Sequence, residues 1–256
     1  MSQPRALVLR APGTNCEEET AAAWERAGAK VETWRLGQVV ERPTALDPFQ
    51  IVTFPGGFSY GDDLGAGRIF ASRIGGPLKD ALRRFHDRGG LLLGICNGFQ
   101  ILIRAGLLPG GTKPVAASLA HNVSGRFEAR WVRLAPKPGL CPFVTDAEPI
   151  ELPVAHGEGR FVVSDPSVIE AWDQAGQVVL RYADASGRPT DEYPRNPNGS
   201  SQAIAGLCDP TGRVFGLMPH PERHLEPFHH PRWTRQGLKA EGDGLRIFRN
   251  AVKAFG

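Results

Sequence analysis

The sequence predicts an α/β protein with a mostly parallel sheet flanked by helices and additional strands in the second half. Three observations carry this. Short apolar runs alternate with helical patterns as far as about residue 105. Strands that alternate with helices imply a parallel sheet covered on both faces, and one of these runs, LLLGI, is apolar throughout. Beyond that point apolar and polar residues alternate at period two, the mark of half-exposed strands.

Taken in order, ALVLR (Ala6–Arg10) is the first strand, closed by the turn APGTN. Glu17–Glu19 then place negative charge where a helix N-terminus favours it, and ETAAAWERA continues that helix to a stop at Gly28. KVETW (Lys30–Trp34) and IVTF (Ile51–Phe54) are the next strands, and the second opens into the glycine turn PGGFSYGD. Pro77–Arg88 has helical periodicity and ends at Gly89-Gly90. LLLGI (Leu91–Ile95) is a fully apolar strand, followed by a helix over Asn97–Ala105. In the second half RFEARWVRL (Arg126–Leu134) alternates, and EPIELPVAHGEGRFVV and GQVVLRYAD supply further strands. VFGLM (Val214–Met218) runs to Pro219, and GLRIFRNAVKAF forms a C-terminal amphipathic helix. With no repeat, linker or low-complexity tract, the expectation is a single domain over residues 1–256.

Composition narrows the function classes. The 256 residues are 41% apolar and 22% charged, ordinary values for a folded domain with a large core. Thirty basic residues against 27 acidic ones leave a net charge of +3 with no Lys/Arg block, so nucleic-acid binding is not expected. The apolar stretch near the N-terminus is strand-sized, too short for a membrane span or a secretory signal. Cys16, Cys96, Cys141 and Cys208 lie far apart without a C-x-x-C pair, which points to a reducing cytoplasm rather than a disulfide framework or zinc ribbon.

Gly94-Ile95-Cys96-Asn97-Gly98 has the spacing G-x-C-x-G between a strand and a helix. This is the cysteine form of the sharp turn that presents a nucleophile, whose neighbours two residues away must be small. The turn sets the sulfur at a helix N-terminus, which favours the thiolate, and aims the Asn97 N–H at a developing oxyanion. A free cysteine is also a common inert core residue, so a partner is needed. MPHPERH (Met218–His224) supplies one at the end of a strand. Proline on both sides keeps His220 extended, and residues two apart share a face, so Glu222 can orient the His220 imidazole. A metal site built from His220, His224, His229 and His230 is set aside, because Pro221, Pro227 and Pro231 break the helical face such ligands commonly share. Cys16 is a weaker rival nucleophile, since three glutamates follow it and negative charge raises a thiol pKa.

GICNGFQ (Gly94–Gln100) together with PHPE (Pro219–Glu222) resembles the class I glutamine amidotransferases. PGGFSYGD (Pro55–Asp62), NVSGRFEARWV (Asn122–Val132), HGEGRF (His156–Phe161) and NPNGSSQAIAG (Asn196–Gly206) resemble, more narrowly, the glutaminases of phosphoribosylformylglycinamidine synthase. The resemblance implies a flavodoxin-like sheet, with Cys96 as nucleophile, His220 as base and Glu222 as its orienter. It also implies Gly57 as a second oxyanion donor beside Asn97, with Gln100, Asn122, Ser124 and Arg126 as candidates around the glutamine substrate. The chain has no phosphate loop, so ATP and Mg are expected on a large synthetase subunit, joined by a small bridging subunit. No cofactor or metal is expected in this chain. Leu225–Gly244 is longer than in compact relatives. The competing readings are another class I amidotransferase or a cysteine hydrolase of the same fold, and a non-catalytic interaction protein.

Overall fold

The computed structural model describes residues 3–62, 64–75, 77–110 and 117–256. The first half lays down β1 (Arg5–Arg10), α1 (Glu17–Ala27), β2 (Lys30–Arg35), α2 (Leu36–Glu41), β3 (Ile51–Phe54), α3 (Arg68–Ile74), α4 (Pro77–Asp87), β4 (Leu91–Ile95) and α5 (Asn97–Arg104). The second half adds β5 (Ala117–Ala120), β6 (Glu128–Pro136), β7 (Ile150–His156), β8 (Arg160–Val163), α6 (Ser167–Gln174), β9 (Val178–Ala183), β10 (Ile204–Cys208), β11 (Val214–Leu217), α7 (Trp233–Gln236) and α8 (Leu245–Lys253).

Nine strands form one sheet in the order β2-β1-β3-β4-β11-β10-β9-β6-β7. The first five pair in parallel, in the strand order of a flavodoxin-like sheet. The remaining pairs are antiparallel, which leaves β10 and β6 reversed and seven strands pointing one way. β5 and β8 make a separate two-stranded ribbon.

Burial follows the sequence pattern. Every residue of β3, β4, β10 and β11 is buried, as their unbroken apolar runs require. β7 alternates buried and half-buried residues along its length, the period of a strand with one covered face. Helix α1 stops at Gly28 in the left-handed conformation (φ 100°), whose N–H caps the carbonyls of Trp24 and Glu25. On its buried face the Trp24 indole donates to Thr53 Oγ1 at 2.9 Å and meets Phe248 of α8 edge-on at 4.8 Å.

Several elements carried no clear signal in the sequence. Helices α2 and α3 are six and seven residues long, too short for a helical period to register. The HGEGRFVV stretch is split by a turn, so that β7 ends at His156 and β8 pairs elsewhere with β5. Strand β7, last in the sheet order, nonetheless returns to the carboxyl end of β11. The His220 N–H donates to Pro153 O at 2.9 Å, and the Cys96 thiol faces Ala155 O at 3.8 Å. The sheet therefore curls until its far edge covers the carboxyl ends of its parallel half.

Candidate active site

Four neighbouring parallel strands, β1, β3, β4 and β11, deliver their carboxyl ends to one place. That end of an open α/β sheet is where ligands bind. β4 leads straight into Cys96, whose φ of 51° and ψ of −104° are strained for a residue with a side chain. Such backbone costs on the order of 1–3 kcal/mol and needs its surroundings to hold it. Two features do so. The Cys96 N–H donates to Leu217 O of β11 at 2.8 Å. Gly94 and Gly98 allow the turn to close: a Cβ on Gly98 would lie 1.8 Å from Phe54 O, and one on Gly94 would lie 2.7 Å from the Gly98 backbone.

His220 and Glu222 are both buried, and Nδ1 of the histidine meets Glu222 Oε1 at 2.6 Å. The meeting is not made by a continued strand. His220 is extended, but Pro221–Arg223 form a 3₁₀ turn, whose first position suits the fixed φ of proline. Burial by itself would lower the His220 pKa. The Glu222 carboxylate and the Cys96 sulfur more than reverse this and hold it well above the usual histidine value.

Beside the sulfur lies a cavity of about 200 Å³ whose walls include Gly57, Phe58, Asp62, Gln100, His156 and Glu158. Gly57 (φ 134°) approaches the chain so closely that a Cβ would lie 2.7 Å from Asn15 N. It bridges to Thr14 through bonds from Asn15 N–H to Gly56 O and from Phe58 N–H to Gly13 O, and neither uses the Gly57 N–H. The Asn97 N–H belongs to the first turn of α5, where helical geometry offers it no internal partner. The Asn97 side chain is occupied, donating to Gln100 Oε1 at 2.9 Å and Asp62 Oδ1 at 3.3 Å.

The other sequence-derived candidates divide. Gln100 lines the cavity, and its amide also ties α5 to the HGEG segment by donating to Glu158 O at 2.5 Å. Asn122 sits beneath the wall: its Nδ2 donates to His156 O and Arg126 O, while its Oδ1 accepts from Gly159 N–H. Ser124 donates to Glu128 Oε1 at 2.9 Å, and it and the exposed Arg126 stand outside the residues that line the cavity.

Sequence reasoning missed His156, although it singled out HGEGRF. Asn122 Oδ1 is an acceptor, so the His156 Nδ1 that meets it at 3.2 Å carries the proton. Nε2 is then a bare acceptor, buried and without a partner. Burial first, and the charge on His220 second, push the His156 pKa down to about 3, so the ring is neutral at pH 7. Asp62 is pushed the other way. Burial leads, and nearby Glu158 adds to the rise.

Cys16 also arrives here. Its sulfur, a His220 nitrogen and a Glu222 oxygen lie within 4.8 Å of one another. The Arg223 guanidinium donates to that sulfur at 3.0 Å, a position that disfavours a metal cation. The Cys16 thiol pKa is raised, by burial before any charge. It is fully enclosed, whereas Cys96 keeps 5% of its surface at the cavity.

Residues 3–255 match the family of CobB/CobQ-like glutamine amidotransferase domains. The chain belongs to this family. A phosphoribosylformylglycinamidine synthase subunit PurQ from Dehalococcoides mccartyi is 49% identical over 255 residues, covering 99% of this chain and 98% of the relative. A second PurQ, from Methanococcus maripaludis, is 41% identical over 98% of this chain and 97% of its own. Among solved structures, a chain of PurLQS from Thermotoga maritima superposes with a TM-score of 0.76 at 33% identity, with both chains covered completely. Glutamine amidotransferase is thus the enzyme class as well as the fold, and the match spans both halves of the sheet.

Proposed function

We propose that this chain is the glutaminase component of a phosphoribosylformylglycinamidine synthase, with Cys96 as its nucleophile. One observation carries the assignment of residues: a strained Cys96 stands at the cavity beside a buried His220–Glu222 pair joined at 2.6 Å.

The Cys96 thiolate attacks the side-chain carbonyl carbon of glutamine. A C–S bond forms, and the N–H groups of Gly57 and Asn97 receive the oxyanion. One such donor is typically worth about 2.7–4 kcal/mol of barrier. Protonated His220 gives its proton to the amide nitrogen, the C–N bond breaks, and ammonia leaves. Water then attacks the thioester, neutral His220 takes its proton, and glutamate departs as the thiolate returns. Asp62 and Glu158 supply negative charge to the wall and suit the substrate α-ammonium. His156, neutral at pH 7, adds an uncharged face to the same wall.

The ammonia is consumed by a large synthetase subunit, with ATP and Mg bound there and a small bridging subunit completing the assembly. Full-length identity to PurQ chains and likeness to a PurLQS chain support this partnership. No helix among the described residues is long and apolar enough to cross a membrane, and the four free cysteines suit the reducing cytoplasm.

The test is intact mass and peptide mapping after exposure to a glutamine-mimicking diazoketone, for wild type and Cys96→Ser. A single adduct on Cys96, absent from the variant, is expected. An adduct on Cys16 instead would sink the assignment.

A further inference from the structure

A second cavity, of about 540 Å³, opens at the carboxyl ends of β1 and β2, apart from Cys96. Arg10 and Arg35, the last residues of those strands, are register partners, and Arg73 of α3 reaches the same space. Like charges at paired strand positions are destabilising. The cavity offers little to offset them. Glu17 stands 3.9 Å from Arg10. Neither Arg35 nor Arg73 has an acidic partner among the described residues. Three guanidinium groups against one carboxylate leave the walls with a net charge of about +2.

The remaining walls are not those of a bare ion site. Leu36 and the half-buried Tyr60 ring contribute apolar surface, and Arg73 holds the ring in place from above, with Nη1 3.4 Å from its hydroxyl. Tyr60 itself is in a left-handed conformation (φ 58°), and its N–H is bonded to Pro12 O at 2.6 Å.

We propose that this cavity binds a small phosphate monoester, its phosphate held by Arg10, Arg35 and Arg73 and its organic part against Leu36 and Tyr60. A phosphate monoester carries about −1.5 to −2 charges at pH 7, matching the excess on the walls. Guanidinium forks fit phosphate oxygens in pairs, and the volume lies in the range of roughly 300–1,000 Å³ used for small molecules.

The experiment is calorimetric titration of the full chain with ribose 5-phosphate, ribose and inorganic phosphate, repeated on Arg35→Gln and on the double variant Arg35→Gln/Arg73→Gln. Saturable binding of ribose 5-phosphate at one site per chain is expected, with weaker binding of inorganic phosphate and none of ribose. Arg35→Gln is expected to weaken it by at least about tenfold. Thermal melts without ligand separate a binding role from a structural one. Arginines that hold the fold together would lower the melting temperature when replaced, whereas relief of like charge leaves it unchanged or raises it. No saturable binding to wild type, or unchanged affinity in the double variant, overturns the proposal. Equal affinity for inorganic phosphate overturns the monoester as ligand.

Discussion

At His220 and His156 the same burial acts on two imidazoles, and neighbouring charge decides the outcome. His220 has a carboxylate at 2.6 Å, and its pKa is raised well above the ordinary value. His156 has an amide oxygen as its partner and a charged His220 nearby, and its pKa falls to about 3. The two therefore act on opposite sides of neutrality. Unfolded His156 binds a proton below about pH 6.5, whereas the folded ring does not until about pH 3, so the unfolded state holds more protons in that window. Stability falls as pH falls through it, by up to about 1.4 kcal/mol per unit from this group. His220 has the reverse sign: its contribution is complete below about pH 6.5 and is lost as pH rises through its raised folded pKa. His156→Gln should flatten the acid side, which urea unfolding at pH 7 and pH 5.5 would show as a smaller loss than in wild type. Parallel losses would remove His156 from the account.

Helix α5 shows an element whose sequence looks wrong until its surroundings are known. Glycine in a helix costs roughly 1 kcal/mol against alanine, so Gly98→Ala would stabilise an isolated helix. Here the added Cβ would lie 1.8 Å from Phe54 O, a backbone atom of β3 that cannot swing aside. The clash is expected to win. Gly98→Ala should lower the urea midpoint, by about 1–3 kcal/mol in unfolding free energy, and displace the Cys96 turn. Loss of diazoketone labelling alongside reduced stability is the expected pair of results. A stabilised variant that still labels would show that α5 has room to shift. The 3₁₀ turn Pro221–Arg223 is a second such element. It turns His220 and Glu222 toward each other where the sequence predicts an extended chain, and Arg223 ties it to α1 through Cys16 and, at 3.6 Å, Glu19.

Across the whole molecule, one sheet joins the two halves of the chain. β11, from near the end, lies between β4 and β10, so the parallel half cannot close without the C-terminal third. The chain is therefore expected to unfold as one unit. Trp24 and Trp34 report on the first half, and Trp131 and Trp172 on the second, so tryptophan fluorescence and far-ultraviolet circular dichroism should trace coincident transitions. Separated midpoints would divide the chain into two domains. The long Leu225–Gly244 segment is fixed at its base: Gly242 and Gly244 bond to Leu225 O and His224 O, and Asp243 accepts the Glu151 N–H of β7. Its Phe228, Trp233 and Leu238 remain exposed.

The sequence by itself determined the features whose cause is local. Unbroken apolar runs mark strands covered on both faces. Glycine two residues either side of Cys96 marks a turn that only small neighbours permit, and His220 with Glu222 two residues on places an imidazole and a carboxylate within one short segment. Family motifs added the amidotransferase fold and pointed to Gly57, which does line the cavity. Tertiary structure alone decided what long-range curvature brings together. The curl of the sheet carries β7 back over β11 and makes His156 and Glu158 walls of the cavity. It also shows Asn122 supporting a wall, and Ser124 and Arg126 standing outside it. The burial of Cys16 beside His220 and the meeting of Arg10, Arg35 and Arg73 likewise follow from strand order and packing. Neither a period nor a propensity encodes such contacts, because each depends on where distant strands lie in the finished sheet.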